Sequence, residues 1–174
     1  MKIRLLKESE YEKAIALKVS CFDEEVKHQV PYNSSEQEEL DFMIDWMNSA
    51  EKYQDIRGLY GAFFEDAFVG FVGASIADES DAKSGIEINY LFVDEAYRGR
   101  GVSYKLLQAI LSHFKKDRFN EVVVYNYVPS DSNKYYRYLG GEVIRTFPVF
   151  EGRIMVDLFR FDYGDFLTKI AKEY

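Results

Sequence analysis

Apolar positions along the chain repeat with two different periods, and each change of period marks a new element. Residues 2–6 read Lys-Ile-Arg-Leu-Leu and predict a short strand. Ser9 and Glu12 then stand at the Ser-x-x-Glu spacing whose side chains satisfy free amides at a helix start. Tyr11, Ala14, Leu17 and Cys21 recur at spacings of three and four, so a helix follows, with Cys21 on its apolar face and its end near Phe22. Residues 23–34 contain Pro31 and Asn33 and show no period, which predicts a loop. Ser35 and Glu38 repeat the capping pattern, and Leu40, Met43, Ile44 and Met47 form the stripe of a second helix to about residue 49.

After Gly58 the texture becomes that of strands. Residues 59–64 and 68–76, parted by Glu65-Asp66, predict an antiparallel hairpin. In residues 86–93 strict alternation sends Ile86, Ile88, Tyr90 and Phe92 to one face, with Glu87 and Asn89 on the other. A helix over 101–116 carries Val102, Leu106, Ala109, Ile110 and His113 on a face broad enough to pack on a sheet. Residues 121–127 then predict a strand that returns parallel through a right-handed crossover. Residues 132–139 predict a short helix ended by Gly140-Gly141. A last hairpin, 142–149 with 153–161, turns at Glu151-Gly152, and Pro148 marks it as an edge. No repeat or linker interrupts the pattern, so one mixed α/β domain is expected over residues 1–174, in the order β-α-α-β-β-β-α-β-α-β-β.

Composition narrows the function classes. With 47% apolar and 30% charged residues and only three prolines, the chain is globular in character. A net charge of -8 argues against a nucleic-acid binder that works by phosphate neutralisation, and makes an amine or other cation the expected charged partner. The single Cys21 excludes an internal disulfide, and His28 and His113 lie far apart with no cysteine pair, so a reducing compartment and no metal are expected. No run approaches the roughly 18 apolar residues of a membrane span. Met1-Lys2-Ile3-Arg4 leads straight into an amphipathic pattern, so the expected location is cytoplasmic.

One segment reverses the local charge. Tyr97-Arg98-Gly99-Arg100-Gly101-Val102-Ser103 lies between a predicted strand and a predicted helix. Two glycines permit a tight turn that brings unpaired amides at a helix N-terminus close to an anion, and Arg98 and Arg100 add positive charge, so a pyrophosphate fits. An ordinary turn into a surface helix is the alternative reading. The segment lacks the P-loop pattern and the three-glycine dinucleotide fingerprint, so another phosphate ligand is expected.

In these residues the chain resembles the GNAT superfamily of acyl-CoA-dependent N-acyltransferases. That family's motif, Arg/Gln-x-x-Gly-x-Gly/Ala after a Leu-x-Val strand, is similar to Leu91-Phe92-Val93 followed by residues 98–103. Tyr135-Tyr136-Arg137-Tyr138-Leu139-Gly140-Gly141 resembles its second signature, an aromatic-Tyr pair followed by glycine. Two positions depart: Ser103 stands where Gly or Ala is usual, and Pro129 where an asparagine is usual, with Asn126 and Asn133 nearest. The resemblance implies a mostly antiparallel mixed sheet with helices on both faces, and acetyl-CoA as co-substrate. Amides of Arg98, Gly99, Arg100, Gly101, Val102 and Ser103 would hold its pyrophosphate, and the backbone of Leu91, Phe92 and Val93 its pantetheine arm, with Asn133 and Tyr136 as further contacts. Tyr136 would protonate the departing thiolate, and Glu87 would take the proton of a small-molecule or protein amine. Family members are often dimers.

Each role has a plainer counterpart: a solvated strand carboxylate for Glu87, and aromatic packing for Tyr136. Cys21 reads as a buried thiol before a nucleophile, and His28 as a loop histidine before a substrate contact. Asp23, Glu24, Glu25, Glu36, Glu38, Glu39 and Asp41 gather negative charge around the 23–34 loop that suits a cationic acceptor. Phe147, Phe150, Phe159, Phe161 and Tyr163 read as core and hairpin packing. A domain that binds acyl-CoA without turnover, and one that uses the glycine turn for another nucleotide, are the competing functions.

Overall fold

The computed structural model describes residues 1–26, 35–114 and 118–173, with residues 23–26 described by backbone alone. Its strands are β1 (Lys2–Leu5), β2 (Gly58–Phe64), β3 (Ala67–Ile76), β4 (Gly85–Val93), β5 (Glu121–Tyr127), β6 (Glu142–Val149) and β7 (Ile154–Asp162). Its helices are α1 (Tyr11–Val26), α2 (Glu36–Asn48), α3 (Val102–His113), α4 (Ser132–Tyr138) and α5 (Tyr163–Lys172). One seven-stranded sheet runs β1-β2-β3-β4-β5-β7-β6, with β6 at the edge as Pro148 requires. Every pair is antiparallel except β4 and β5, whose parallel pairing was expected and between which α3 lies in the chain.

The helix faces divide the core in two. Leu106, Leu107, Ile110 and Leu111 of α3 and Phe166 and Ile170 of α5 pack with Ile86, Ile88, Val122, Val124, Phe159 and Phe161 on one side of the sheet. Tyr11, Ala14 and Ile15 of α1 and Met43 of α2 pack with Leu59, Phe71 and Tyr90 on the other. Helices therefore cover both faces, as expected. Among the described residues no helix is long and apolar enough to cross a membrane.

Three boundaries differ from the sequence pattern, each for a local reason. Helix α1 is preceded by a 3-10 turn, Glu8–Glu10, and it is Glu10, rather than Glu12, that turns back: its carboxylate accepts from the Lys7 amide at 2.9 Å and from Arg4 at 2.7 Å. The same helix runs past Phe22 to Val26, so the first residues of the predicted loop are helical, and residues 27–34 lie outside the described part. Helix α5 was not expected at all. Asp162 caps it by accepting from the Asp165 amide at 2.9 Å, and Tyr163, Phe166 and Ile170 are its buried stripe. Ser35 does cap α2 as predicted: its hydroxyl accepts from the Glu38 amide at 3.2 Å, and its own amide donates to the Glu38 carboxylate at 2.7 Å.

The alternation predicted for residues 86–93 breaks in the middle. Ala74 of β3 lies opposite Ile88 and Gly73 opposite Tyr90, so Asn89 is an extra residue, a β-bulge. An extra residue exchanges the two faces downstream of it. Ile86 and Ile88 face α3, whereas Tyr90 and Phe92 join the α1 and α2 side and Leu91 and Val93 return beneath α3. Farther along the same strand pair Gly70 of β3, opposite Val93, allows close packing: a Cβ there would stand 2.9 Å from the Phe92 carbonyl oxygen and 3.3 Å from Leu106. Gly70→Ala should lower the unfolding free energy by about 1–3 kcal/mol in denaturant titration.

Candidate active site

Strands β4 and β5 begin side by side and then part. Their register covers Gly85 with Glu121, Ile86 with Val122 and Glu87 with Val123, and among the described residues no later pair joins them. Beyond that fork the edge of β4 facing β5 has no strand partner. The Asp94 amide donates to Val69 of β3 at 3.0 Å, so by alternation the Leu91 and Val93 amides turn toward the gap. The gap is a cleft of about 710 Å³, lined along β4 by Asn89, Leu91, Phe92 and Val93, across it by Val124 and Asn126, and at its far end by residues 97–104.

At that far end the chain makes the predicted turn. Asp94 caps a 3-10 turn, Glu95–Tyr97, by accepting from the Ala96 amide at 2.9 Å. Gly99 and Gly101 then adopt left-handed φ values of 71° and 74°, which favour glycine. Gly101 is the N-cap of α3, so the first amides of that helix, which have no acceptor within it, open on the cleft with the positive end of the helix dipole. Arg98 braces the turn: Nε donates to the Val93 carbonyl at 3.0 Å and a terminal nitrogen lies 3.5 Å from Cys21 Sγ. Cys21 Sγ lies 3.8 Å from the same carbonyl, so the thiol lines the cleft and helps fix α1 to β4. Arg100 is exposed, its guanidinium 5.3 Å from the centre of the Tyr97 ring.

Helix α4 supplies the opposite wall. Tyr136 is buried, lines the cleft, and packs its ring 5.6 Å from those of both Phe159 and Tyr135. Tyr135 donates its hydroxyl to Ser103 at 3.0 Å, tying α4 to the start of α3. The family's usual glycine or alanine at that position has no such hydroxyl, so this contact belongs to the departure at Ser103. Burial raises the Tyr135 hydroxyl well above the usual phenol range. Asn133, by contrast, is buried behind the wall: it donates to Asp157 at 3.0 Å and accepts from Asn126, and Asn126 rather than Asn133 reaches the cleft.

Glu87 occupies the last paired position before the fork, half-buried. Burial first, then the negative field of Asp81 and more weakly of Asp55 and Asp78, pushes its carboxyl up to about 7, against a hydrogen bond from Asn89 that pulls it down. Tyr125 donates to Asp81, which also receives Arg145 at 2.8 Å; Tyr125 and Tyr90 are each pushed up to about 12, chiefly by burial. On the α2 side Glu39 is paired with Lys18, and Lys18 Nζ lies 5.7 Å from the Tyr90 ring. Glu38 is spent on its cap and Asp41 accepts from Gln37 at 2.8 Å, so the acidic set is divided among local partners; the side chains of residues 23–25 and the whole of His28 lie outside the described part. Phe159, Phe161 and Tyr163 are core residues, while Phe150 remains exposed at the hairpin tip, stacked on Tyr127.

The structure thus gathers Leu91, Phe92, Val93, residues 98–103 and Tyr136 around one cleft and leaves both Asn133 and Glu87 outside its lining, Glu87 at the last paired position of the fork beside it. Cys21, Asn89 and Tyr135 are cleft residues that the sequence pattern did not assign to it. Cys21 carried a signal only as a core position, and Asn89 none, because a bulge is invisible until the pairing is known.

Residues 19–140 match the model of the acetyltransferase (GNAT) family. No curated protein sequence matches significantly. Among solved structures, the chain is similar to an N-acetyltransferase from Staphylococcus aureus Mu50, at 16% identity and a TM-score of 0.70, covering 92% of this chain and 97% of that one. It is also similar to a ribosomal-protein-alanine N-acetyltransferase from Brucella melitensis, at 13% identity and a TM-score of 0.70, covering 93% and 99%. A third is the PaiA N-acetyltransferase from Thermoplasma acidophilum in complex with coenzyme A, at 16% identity and a TM-score of 0.69, covering 93% and 98%. These likenesses agree with the seven-stranded forked sheet, and with the family match over the turn and both signature segments the chain belongs to the acetyltransferase (GNAT) family.

Proposed function

We propose that the protein transfers an acetyl group from acetyl-CoA to a primary amine by direct attack of the nitrogen on the thioester. The observation that carries this reading is the fork between β4 and β5. It leaves a row of strand amides bare in a cleft that ends at an amide-rich, positively charged turn. A pyrophosphate suits the amides of residues 98–103 and the α3 dipole, and an extended pantetheine suits the edge of Leu91 and Val93. Backbone donors on that edge also orient and polarise the acyl carbonyl.

The chemistry makes two proton demands. An alkylammonium with a pKa of about 10.4 must lose a proton before it attacks, at a cost of about 4–5 kcal/mol at pH 7. Glu87, held near 7, takes that proton directly or through a water. As the C–N bond forms and the C–S bond breaks, Tyr136 donates its proton to the departing thiolate; of the two protons then left on nitrogen one is released to solvent and one stays on the amide, and the proton taken up by Glu87 passes through solvent to restore Tyr136.

Calorimetric titration with acetyl-CoA and with ATP, followed by a thiol-release assay against pooled primary amines, tests the whole reading. Acetyl-CoA binding with thiol release is expected. Binding without release points to a sensor or subunit, and competition by ATP to a different nucleotide site. Tyr136→Phe should lower kcat by about 10²–10⁴-fold while acetyl-CoA affinity stays the same. Glu87 predicts a stability effect as well. Its carboxyl sits at about 7 in the fold against an ordinary 4.5, so between those values the folded protein keeps a proton that the unfolded chain has lost, and stability falls as pH rises. Glu87→Gln should therefore stabilise the protein at pH 8 by up to about 3 kcal/mol relative to its effect at pH 4, read by denaturant unfolding at both.

A further inference from the structure

We propose that Tyr135 is a positioning residue for the cofactor's pyrophosphate: by donating its hydroxyl to Ser103 Oγ it turns the Ser103 hydrogen onto a phosphate oxygen. The assignment rests on the transferase reading above and adds a side-chain hydroxyl to a turn otherwise furnished with backbone amides and two arginines. Ser103 is the second residue of α3, half-buried and part of the cleft lining. Its amide is one of those that have no acceptor inside the helix, so a free amide and a hydroxyl of one residue stand together at the anion end of the cleft. A hydroxyl has one hydrogen to give and two lone pairs with which to accept. Tyr135 Oη donates to the Ser103 oxygen at 3.0 Å, and among the described residues the Ser103 side chain has no other hydrogen-bond partner. The bond fills one lone pair and leaves the hydrogen to be given away. Tyr135 is fixed in that role: its ring lies 5.9 Å from that of Tyr104 and 5.6 Å from that of Tyr136, and burial keeps its hydroxyl protonated.

The turn decides what that hydrogen meets. Gly99 and Gly101 hold left-handed φ, so neither bend carries a Cβ and the first amides of α3 are bared. Arg98 and Arg100 and the positive end of α3 add a field that favours an anion over a neutral carbonyl. A hydroxyl that donates to a charged oxygen makes a stronger bond than one that donates to a neutral acceptor. A glycine or alanine at position 103 offers its amide alone, so the serine and its tyrosine partner act as a pair that neither residue replaces by itself. The same bond ties the phosphate end of the cleft to α4, whose next residue is Tyr136. The turn on which the phosphates rest and the helix that carries the acid are thereby held at one distance.

The test is a double-mutant cycle on acetyl-CoA affinity, read by calorimetry for the wild type, Tyr135→Phe, Ser103→Ala and the double variant, with Ser103→Thr as the variant that restores a hydroxyl. Folding is checked by thermal unfolding. Ser103→Ala should weaken acetyl-CoA about ten- to a hundredfold, because the lost bond runs to a charged oxygen. Tyr135→Phe keeps the ring and should weaken it about three- to tenfold. The double variant should bind no more weakly than Ser103→Ala, since Tyr135 acts through Ser103. Ser103→Thr should stay within about threefold of the wild type. 3′-Phosphoadenosine 5′-diphosphate, which carries the pyrophosphate without the pantetheine arm, is titrated as a competitor of acetyl-CoA and should lose affinity by the same factors. An unchanged affinity in Tyr135→Phe, losses that add in the double variant, or a loss confined to acetyl-CoA overturns the assignment, reduces the bond to a strut between α3 and α4, and leaves the transferase reading standing. If Tyr135→Phe does not fold, Ser103→Ala against Ser103→Thr decides: equal affinities overturn the assignment. A wild type that binds no acetyl-CoA overturns the transferase reading, and this assignment with it.

Discussion

A strand in the middle of a sheet cannot leave its backbone groups unpaired without consequence, and β4 does so along half of one edge. The N–H and C=O groups of a buried strand require partners, which a neighbouring strand ordinarily supplies. Here β5 supplies them only as far as Glu87 and then turns away to pair with β7 along its whole length. The Val93 carbonyl takes its partners from Arg98 and Cys21. The remaining amides of the fork face a cleft, so the sheet itself builds a receptor for an extended, hydrogen-bonding ligand. Everything else at the site can be read as a response to that opening: α3 enters at one end, α4 closes one wall, and α1 sends Cys21 to its base.

What could be read in the sequence was whatever depends on near neighbours in the chain. The Ser35 cap, the stripe of α3 and the glycine turn are set by spacings of a few residues, and each lies where the pattern puts it. The bulge at Asn89 is different in kind. It arises from the register between Gly73, Ala74 and β4, and no alternation within β4 alone reveals it. That one residue places Tyr90 and Phe92 on the opposite face from Ile86 and Ile88, and it brings Asn89 to the cleft wall. The start of α5 was legible in principle, since Asp162 and Asp165 bracket it, but the aromatic run of β7 continues into Tyr163 and hides the change of period.

Charge is divided between the cleft and its surroundings. The chain carries a net charge of -8, yet the glycine turn presents Arg98, Arg100 and the positive end of α3. Outside the cleft lining, burial first and then the negative field of Asp81, Asp55 and Asp78 raise the proton affinity of Glu87. An anionic ligand is thereby favoured at the turn, whereas the acids near Glu87 lie outside the cleft lining and Asp81 and Asp55 are paired with Arg145 and Arg57. The acidic excess that composition shows is thus not a uniform surface property. It has a local exception, and that exception coincides with the motif.

Glu87 stands where the fork begins, and its burial there sets its proton affinity. A carboxyl on a fully paired central strand is desolvated and has no route to substrate, whereas one on the open stretch is hydrated and titrates near its ordinary value. The last paired residue before the strands part stands at the boundary between the two. It is buried enough to be held near 7, and one bulge away from the cleft. Moving the carboxyl two residues toward the turn would place it on Asn89, inside the opening. Moving it two residues back would place it at Gly85, where added Cβ atoms meet Ala82 and Ala77 at 2.4 and 3.1 Å. Position 87 thus has the room for a side chain that position 85 lacks, and the residue found there is a glutamate.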